Sequence, residues 1–116
     1  MRKMDVMIAE IETHAKLIST MCDKYFVQRL ELFGSAATNQ FDPAKSDFDF
    51  LVHFKPMPMT MRADTYFGLL FSLEDLFQRH IDLIEPDAIR NPYFQQSIQE
   101  KPRQLIYETR NQETFI

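Results

Sequence analysis

Two short apolar runs separated by a glycine break and a polar loop constrain this chain most. The first, Leu30-Glu31-Leu32-Phe33, ends at Gly34-Ser35, after which Ala36-Ala37 favour helix, so the local reading is strand, tight turn, helix. The second, from Asp47 to Phe54, is apolar after its aspartates apart from His53 and reads as another strand. The whole sequence contains 2 glycines, which makes Gly34 informative. Glycine adopts backbone conformations closed to other residues and lets an anion approach the main chain, while Ser35 adds a hydroxyl and a helix-start amide. A phosphate fits such a turn.

Asp47 and Asp49 straddle Phe48 at the mouth of the second strand. Side chains two residues apart share a face, with their Cβ atoms separated by roughly 6.6 Å. Carboxylates so placed can converge on a metal, and Mg²⁺, which is held by one or two carboxylates plus substrate phosphates, suits them. Without a cation, two like charges beside an apolar strand repel each other. Taken alone, an Asp-x-Asp at a strand entrance is more often a solvated turn than a metal site.

Gly34-Ser35, 11 intervening residues, then Asp47-Phe48-Asp49 resembles the signature of the DNA polymerase beta-like nucleotidyltransferase superfamily, especially its minimal nucleotidyltransferase branch. The gap is one residue longer than is usual in that branch, an excess most simply placed in the Thr38-Asn39-Gln40-Phe41-Asp42-Pro43 loop, where insertions are tolerated. Many relatives carry Arg directly after Gly-Ser, where this chain has Ala36. A phosphate contact is then weaker or comes from elsewhere.

Around this centre, Met4, Met7, Ile8, Ile11, Ala15, Ile18 and Cys22 recur at helical spacing and predict an amphipathic first helix closed by Asp23-Lys24. Its methionines read as core filler and His14 as a surface or boundary residue. Lys55-Pro56-Met57-Pro58-Met59-Thr60 reads as a loop, because two prolines fix backbone angles and remove donors. Its methionines either fold back on the core or belong to a partner surface. A second helix is expected from Arg62 to Gln78, with Tyr66, Phe67, Leu69, Leu70, Leu73, Leu76 and Phe77 on its apolar face and Gly68 permitting close packing. Pro86 to Pro92 reads as a helical turn or linker, followed by a short helix ending by Pro102, a last strand through Glu108 and a frayed end from Thr109.

His80-Ile81-Asp82-Leu83-Ile84-Glu85 reads as a short strand with a carboxylate inside it. A charge there costs several kcal/mol, on the order of 3–5, unless paired, exposed or coordinated. The residues alone leave a salt-bridged, an edge-exposed and a functional Asp82 open. The resemblance implies the last, because minimal nucleotidyltransferases carry a third acid in such a strand. His53 and His80 have no spaced His or Cys partner, which argues against zinc.

Composition sets outer limits. A chain of 116 residues with 11 Phe has room for one domain and the apolar material for one core, so residues 1–116 are expected to form a single domain. No long apolar run or signal-peptide core occurs, and the 1 cysteine, Cys22, permits no intrachain disulfide and is expected in the core. A soluble cytoplasmic protein is expected. A net charge of −4 and a pI near 5.3 argue against unaided binding to a nucleic-acid backbone.

The resemblance implies a mixed α+β fold, a mixed β-sheet with helices packed across it, and transfer of a nucleoside monophosphate from ATP or another nucleoside triphosphate to a hydroxyl. It assigns two Mg²⁺ ions to Asp47, Asp49 and Asp82 as catalytic ligands, and the triphosphate to Gly34 and Ser35. It further implies an antitoxin whose partner is a small helical HEPN-type protein in a hetero-oligomer, with a partner tyrosine as acceptor. A small-molecule acceptor, such as an aminoglycoside hydroxyl, and a noncatalytic binding subunit are the alternatives.

Overall fold

The computed structural model describes residues 10–34 and 47–109. A helical segment at 10–13 and a turn at His14 precede α1 (Ala15–Lys24) and β1 (Val27–Phe33). Then come β2 (Phe48–Phe54), α2 (Met59–Phe77), β3 (Ile81–Ile84), a 3-10 turn (Pro86–Ala88), α3 (Pro92–Glu100) and β4 (Arg103–Glu108). The described strands form one mixed sheet in the order β3-β2-β1-β4. β1 runs antiparallel to β2 and β4, whereas β2 and β3 are parallel. A parallel pair needs a crossover, and α2 supplies it.

Strand alternation sends side chains to two unlike faces. On one, Leu30 and Leu32, Phe48, Phe50 and Val52, and Ile81 and Leu83 are buried with Ile18 and Cys22 of α1 and Leu69, Leu73 and Phe77 of α2. Phe77 meets Phe48 edge to face at 4.9 Å between ring centroids. Cys22 is fully buried as expected, and burial, with the neighbouring Asp23 charge adding to it, pushes its thiol up to about 12. On the other face Phe33, Leu51 and Ile84 pack against Phe94 and Ile98 of α3. The mixed α+β architecture matches the expectation.

Several boundaries differ from those read in the sequence. Met4, Met7 and Ile8 lie outside the described residues, and the helix expected to run through to Cys22 is interrupted at His14 (φ −107°, ψ 16°). There the amide donates to the Ile11 carbonyl at 3.1 Å, a tighter turn than an α-helix makes, and the ring meets Phe77 edge-on. α2 begins at Met59, earlier than predicted, because Pro58 fits a helix boundary where its missing donor is not needed. The loop is therefore only 55–58, with Met57 half-buried and Met59 82% exposed. Phe67 does not join the core. The buried row of α2 is Thr65, Leu69, Leu73 and Phe77, a strict four-residue spacing, while Phe67 and Phe71 stack on each other in solvent, 48% and 60% exposed.

Gly68 has the packing role expected of it. A Cβ at this position would lie 2.4 Å from Cε1 of Tyr25, whose hydroxyl is 3.5 Å from the Ser72 hydroxyl. Gly68→Ala gains about 1 kcal/mol of helix propensity but forces that ring aside, a cost of about 1–3 kcal/mol. Chemical denaturation is expected to show a net loss of about 1 kcal/mol, and a variant more stable than wild type would contradict the close α2 contact.

Candidate active site

Three strands deliver the site by register. Phe33, the last residue of β1, stands opposite Asp49 of β2, and Asp49 stands beside Asp82 of β3. Directly paired residues share a face, so both carboxylates lie at one end of the face that α3 partly covers. Asp47 lies just before β2, exposed. Ligating atoms of Asp47, His80 and Asp82 all fall within 4.8 Å of one another. Among the described residues this is the one cluster of three or more such side chains.

Asp49 is half-buried beside that cluster. Its pKa is pushed up to about 6, first by burial, then by hydrogen bonding with Asp82 and by the negative charges of Asp82 and Asp47; the Lys101 ammonium acts in the opposite direction. These carboxylates are crowded enough for one to hold its proton, a condition that a cation relieves. An oxygen-rich set in which Asp49 is hydrogen-bonded to Asp82 and Asp47 lies within 4.8 Å of Asp82 fits Mg²⁺. Asp82 avoids the penalty of a buried charge because β3 is an edge strand, where its carboxylate is half exposed and takes a 3.0 Å hydrogen bond from Nε2 of His80. That bond and the Asp82 charge raise the His80 pKa.

Gly34 seals the corner. It adopts a left-handed backbone with φ +75°, and a Cβ there would lie 3.0 Å from Oδ2 of Asp49. Its amide donates to the Pro102 carbonyl at 3.2 Å, tying the turn after β1 to the corner between α3 and β4. Ser35, Ala36 and the 38–43 loop lie outside the described residues. The structure thus brings Gly34, Asp47, Asp49 and Asp82 to one end of the sheet.

Two neighbours were missed by sequence reasoning. His80 has no spaced metal-ligand partner in the sequence, yet its position two residues before Asp82 is a usable sign that the side chains meet. Lys101 carried no such local sign, since only the α3–β4 corner brings it over the Phe33 ring, with Nζ 5.9 Å from the centroid. His53 lies toward the other end of β2 and bonds Asp87 at 2.9 Å. It lines an open polar depression of about 760 Å³ in which Glu31 is matched by Arg29 at 3.3 Å and Arg103 at 3.8 Å. The charges there satisfy one another, unlike those of the aspartate cluster.

A model of the nucleotidyltransferase domain family matches residues 14–105. The chain belongs to that family. Two proteins of Methanocaldococcus jannaschii named as protein adenylyltransferases are 37% and 34% identical to it over 97 residues, each match spanning 84% of this chain and 89% of the relative. A solved structure described as a minimal nucleotidyltransferase superposes with a TM-score of 0.61 at 20% identity, covering 78% of this chain and 88% of that one. A toxin–antitoxin structure with AMP-PNP gives a TM-score of 0.52 at 19% identity, covering 78% and 69% respectively. Both share the fold. This nucleotidyltransferase has, among its described residues, no helix long and apolar enough to cross a membrane.

Proposed function

We propose that this nucleotidyltransferase transfers AMP from ATP to a hydroxyl of a protein acceptor, with Asp47, Asp49 and Asp82 as the catalytic carboxylates. The register that sets Asp49 beside Asp82, directly across from the end of β1 and its Gly34 turn, carries the reading. The names of the relatives support a protein acceptor and an adenylyl group.

In the reaction, the acceptor oxygen forms a bond to the α-phosphorus of ATP as the bond to the leaving pyrophosphate breaks. Gly34, which has no side chain, would let the phosphates approach the main chain at the turn that it opens. Asp47, Asp49 and Asp82 would hold two Mg²⁺ ions, which would supply charge to favour ionisation of the acceptor hydroxyl and to offset the pyrophosphate. Asp82, on the edge strand of the described sheet, would take the hydroxyl proton, with the His80 hydrogen bond helping to orient its carboxylate.

The acceptor we favour is a tyrosine of a helical HEPN-type toxin, with this chain as the antitoxin of the pair. The likeness in fold to a toxin–antitoxin structure motivates the choice. Exposed Met59 and the Phe67–Phe71 stack offer apolar surface to such a partner, and the chain's net charge of −4 favours a basic one. The test is co-expression with the product of a neighbouring reading frame, followed by incubation with Mg²⁺ and ATP labelled at the α-phosphate. Label on a partner tyrosine, absent with Asp47→Asn/Asp49→Asn, is the expected result. A partner left unlabelled while a small hydroxyl compound is modified would overturn the protein-acceptor reading.

A further inference from the structure

We propose that Lys101 is a binding residue for the nucleotide's polyphosphate, reaching it from the α3–β4 corner to which the Gly34 amide is bonded. This rests on the reading of the aspartate corner as the nucleotide site. Three carboxylates cannot receive a polyanion on backbone amides alone without cations to offset the repulsion. Nearby arginines are committed: Arg103 and Arg29 face Glu31, Arg62 pairs with Glu85, and Arg79 pairs with Glu10. Lys101 forms no ion pair within the described residues, and its ammonium sits over Phe33, the residue in register with Asp49.

Its backbone is held firmly. The Lys101 amide donates to the Ile98 carbonyl at the end of α3, the next carbonyl, Pro102, accepts the Gly34 amide, and Arg103 stands opposite Phe33 in the sheet. The same short corner therefore fixes both the phosphate-turn glycine and the lysine. The side chain, by contrast, is exposed, and a 5.9 Å separation from the ring centroid is a loose tether. An ammonium on a fixed base with a free stem suits a point contact with phosphate oxygens. It also supplies a cation that the residue after Ser35, here Ala36, lacks.

The test is calorimetric titration of the full chain with MgATP, with pyrophosphate plus Mg²⁺, and with adenosine. Lys101→Ala is expected to weaken MgATP and pyrophosphate roughly tenfold or more while leaving adenosine unchanged, and Lys101→Arg to restore most of the loss. If Lys101 served only to keep Asp49 ionised, the deficit would vanish at pH 8.5; a phosphate contact keeps it there, so disappearance overturns the proposal. Wild-type binding with an unaffected Lys101→Ala also overturns it and leaves the site reading standing. A wild-type chain that takes neither MgATP nor pyrophosphate removes the site reading and this inference together.

Discussion

Asp49→Asn is expected to abolish nucleotidyl transfer and, at pH 8 without metal, to make the protein more stable. The activity loss follows from the proposed role of Asp49 as a catalytic carboxylate and should exceed roughly a thousandfold. The stability gain follows from crowding. The Asp49 pKa rises from the model-compound value of 3.8 to about 6, so folding favours its protonated form. The stability this gives is fully present below the unfolded value and is lost as pH rises through about 6. Above that, ionised Asp49 strains the native state against Asp82 and Asp47. At about 1.4 kcal/mol per pH unit the undiscounted effect would approach 3 kcal/mol, and solvent screening of this half-exposed group reduces it to about 1. Asparagine keeps the shape without the charge. Thermal melts in chelator should therefore place the variant about 3–6 °C above wild type at pH 8 and level with it at pH 4. Saturating Mg²⁺ should favour the wild type, since only it retains the full ligand set. A variant melting below wild type at pH 8 in chelator would disprove the crowding.

The sequence carried the parts of this site that depend on neighbours along the chain. Gly34 broke an apolar run and occupies a left-handed backbone; Asp47 and Asp49 stood at a strand mouth and remain there. Asp82 was different. Its segment was legible as a strand, but that β3 lies parallel to β2 at the sheet edge, in register with Asp49, depends on how α2 crosses over. Edge placement then reconciles the alternatives the residues left open: Asp82 is exposed, paired with His80 and part of the acidic corner. Phe67 misled because α2 is apolar on more than one side, so periodicity could not choose which aromatic rings enter the core. Lys101 was invisible for a related reason, since its proximity to Phe33 exists only once α3 folds over the second sheet face.

Gly34→Ala is the change most expected to separate catalysis from stability. Alanine in the φ +75° conformation costs about 1 kcal/mol, because Cβ crowds the neighbouring carbonyl in the left-handed region. The added carbon would also stand 3.0 Å from Oδ2 of Asp49, closer than ordinary contact, and the carboxylate must shift by a few tenths of an ångström. That carboxylate is not free to yield, being bonded to Asp82 and carried by a strand paired on both sides. Total destabilisation should be about 1–2 kcal/mol, which still leaves a typical domain folded at 25 °C. Transfer should fall further, roughly a hundredfold, since in the proposed site displacement of the Asp49 carboxylate disturbs the alignment on which rate depends. Measuring turnover where circular dichroism reports full folding separates the two effects. A double-mutant cycle with Asp49→Ala then tests the cause: if the clash is with the carboxylate, removing it should relieve about 0.5–1 kcal/mol of the Gly34→Ala penalty. Strict additivity would place the strain in the backbone alone, and undiminished transfer by folded Gly34→Ala would put the nucleotide elsewhere.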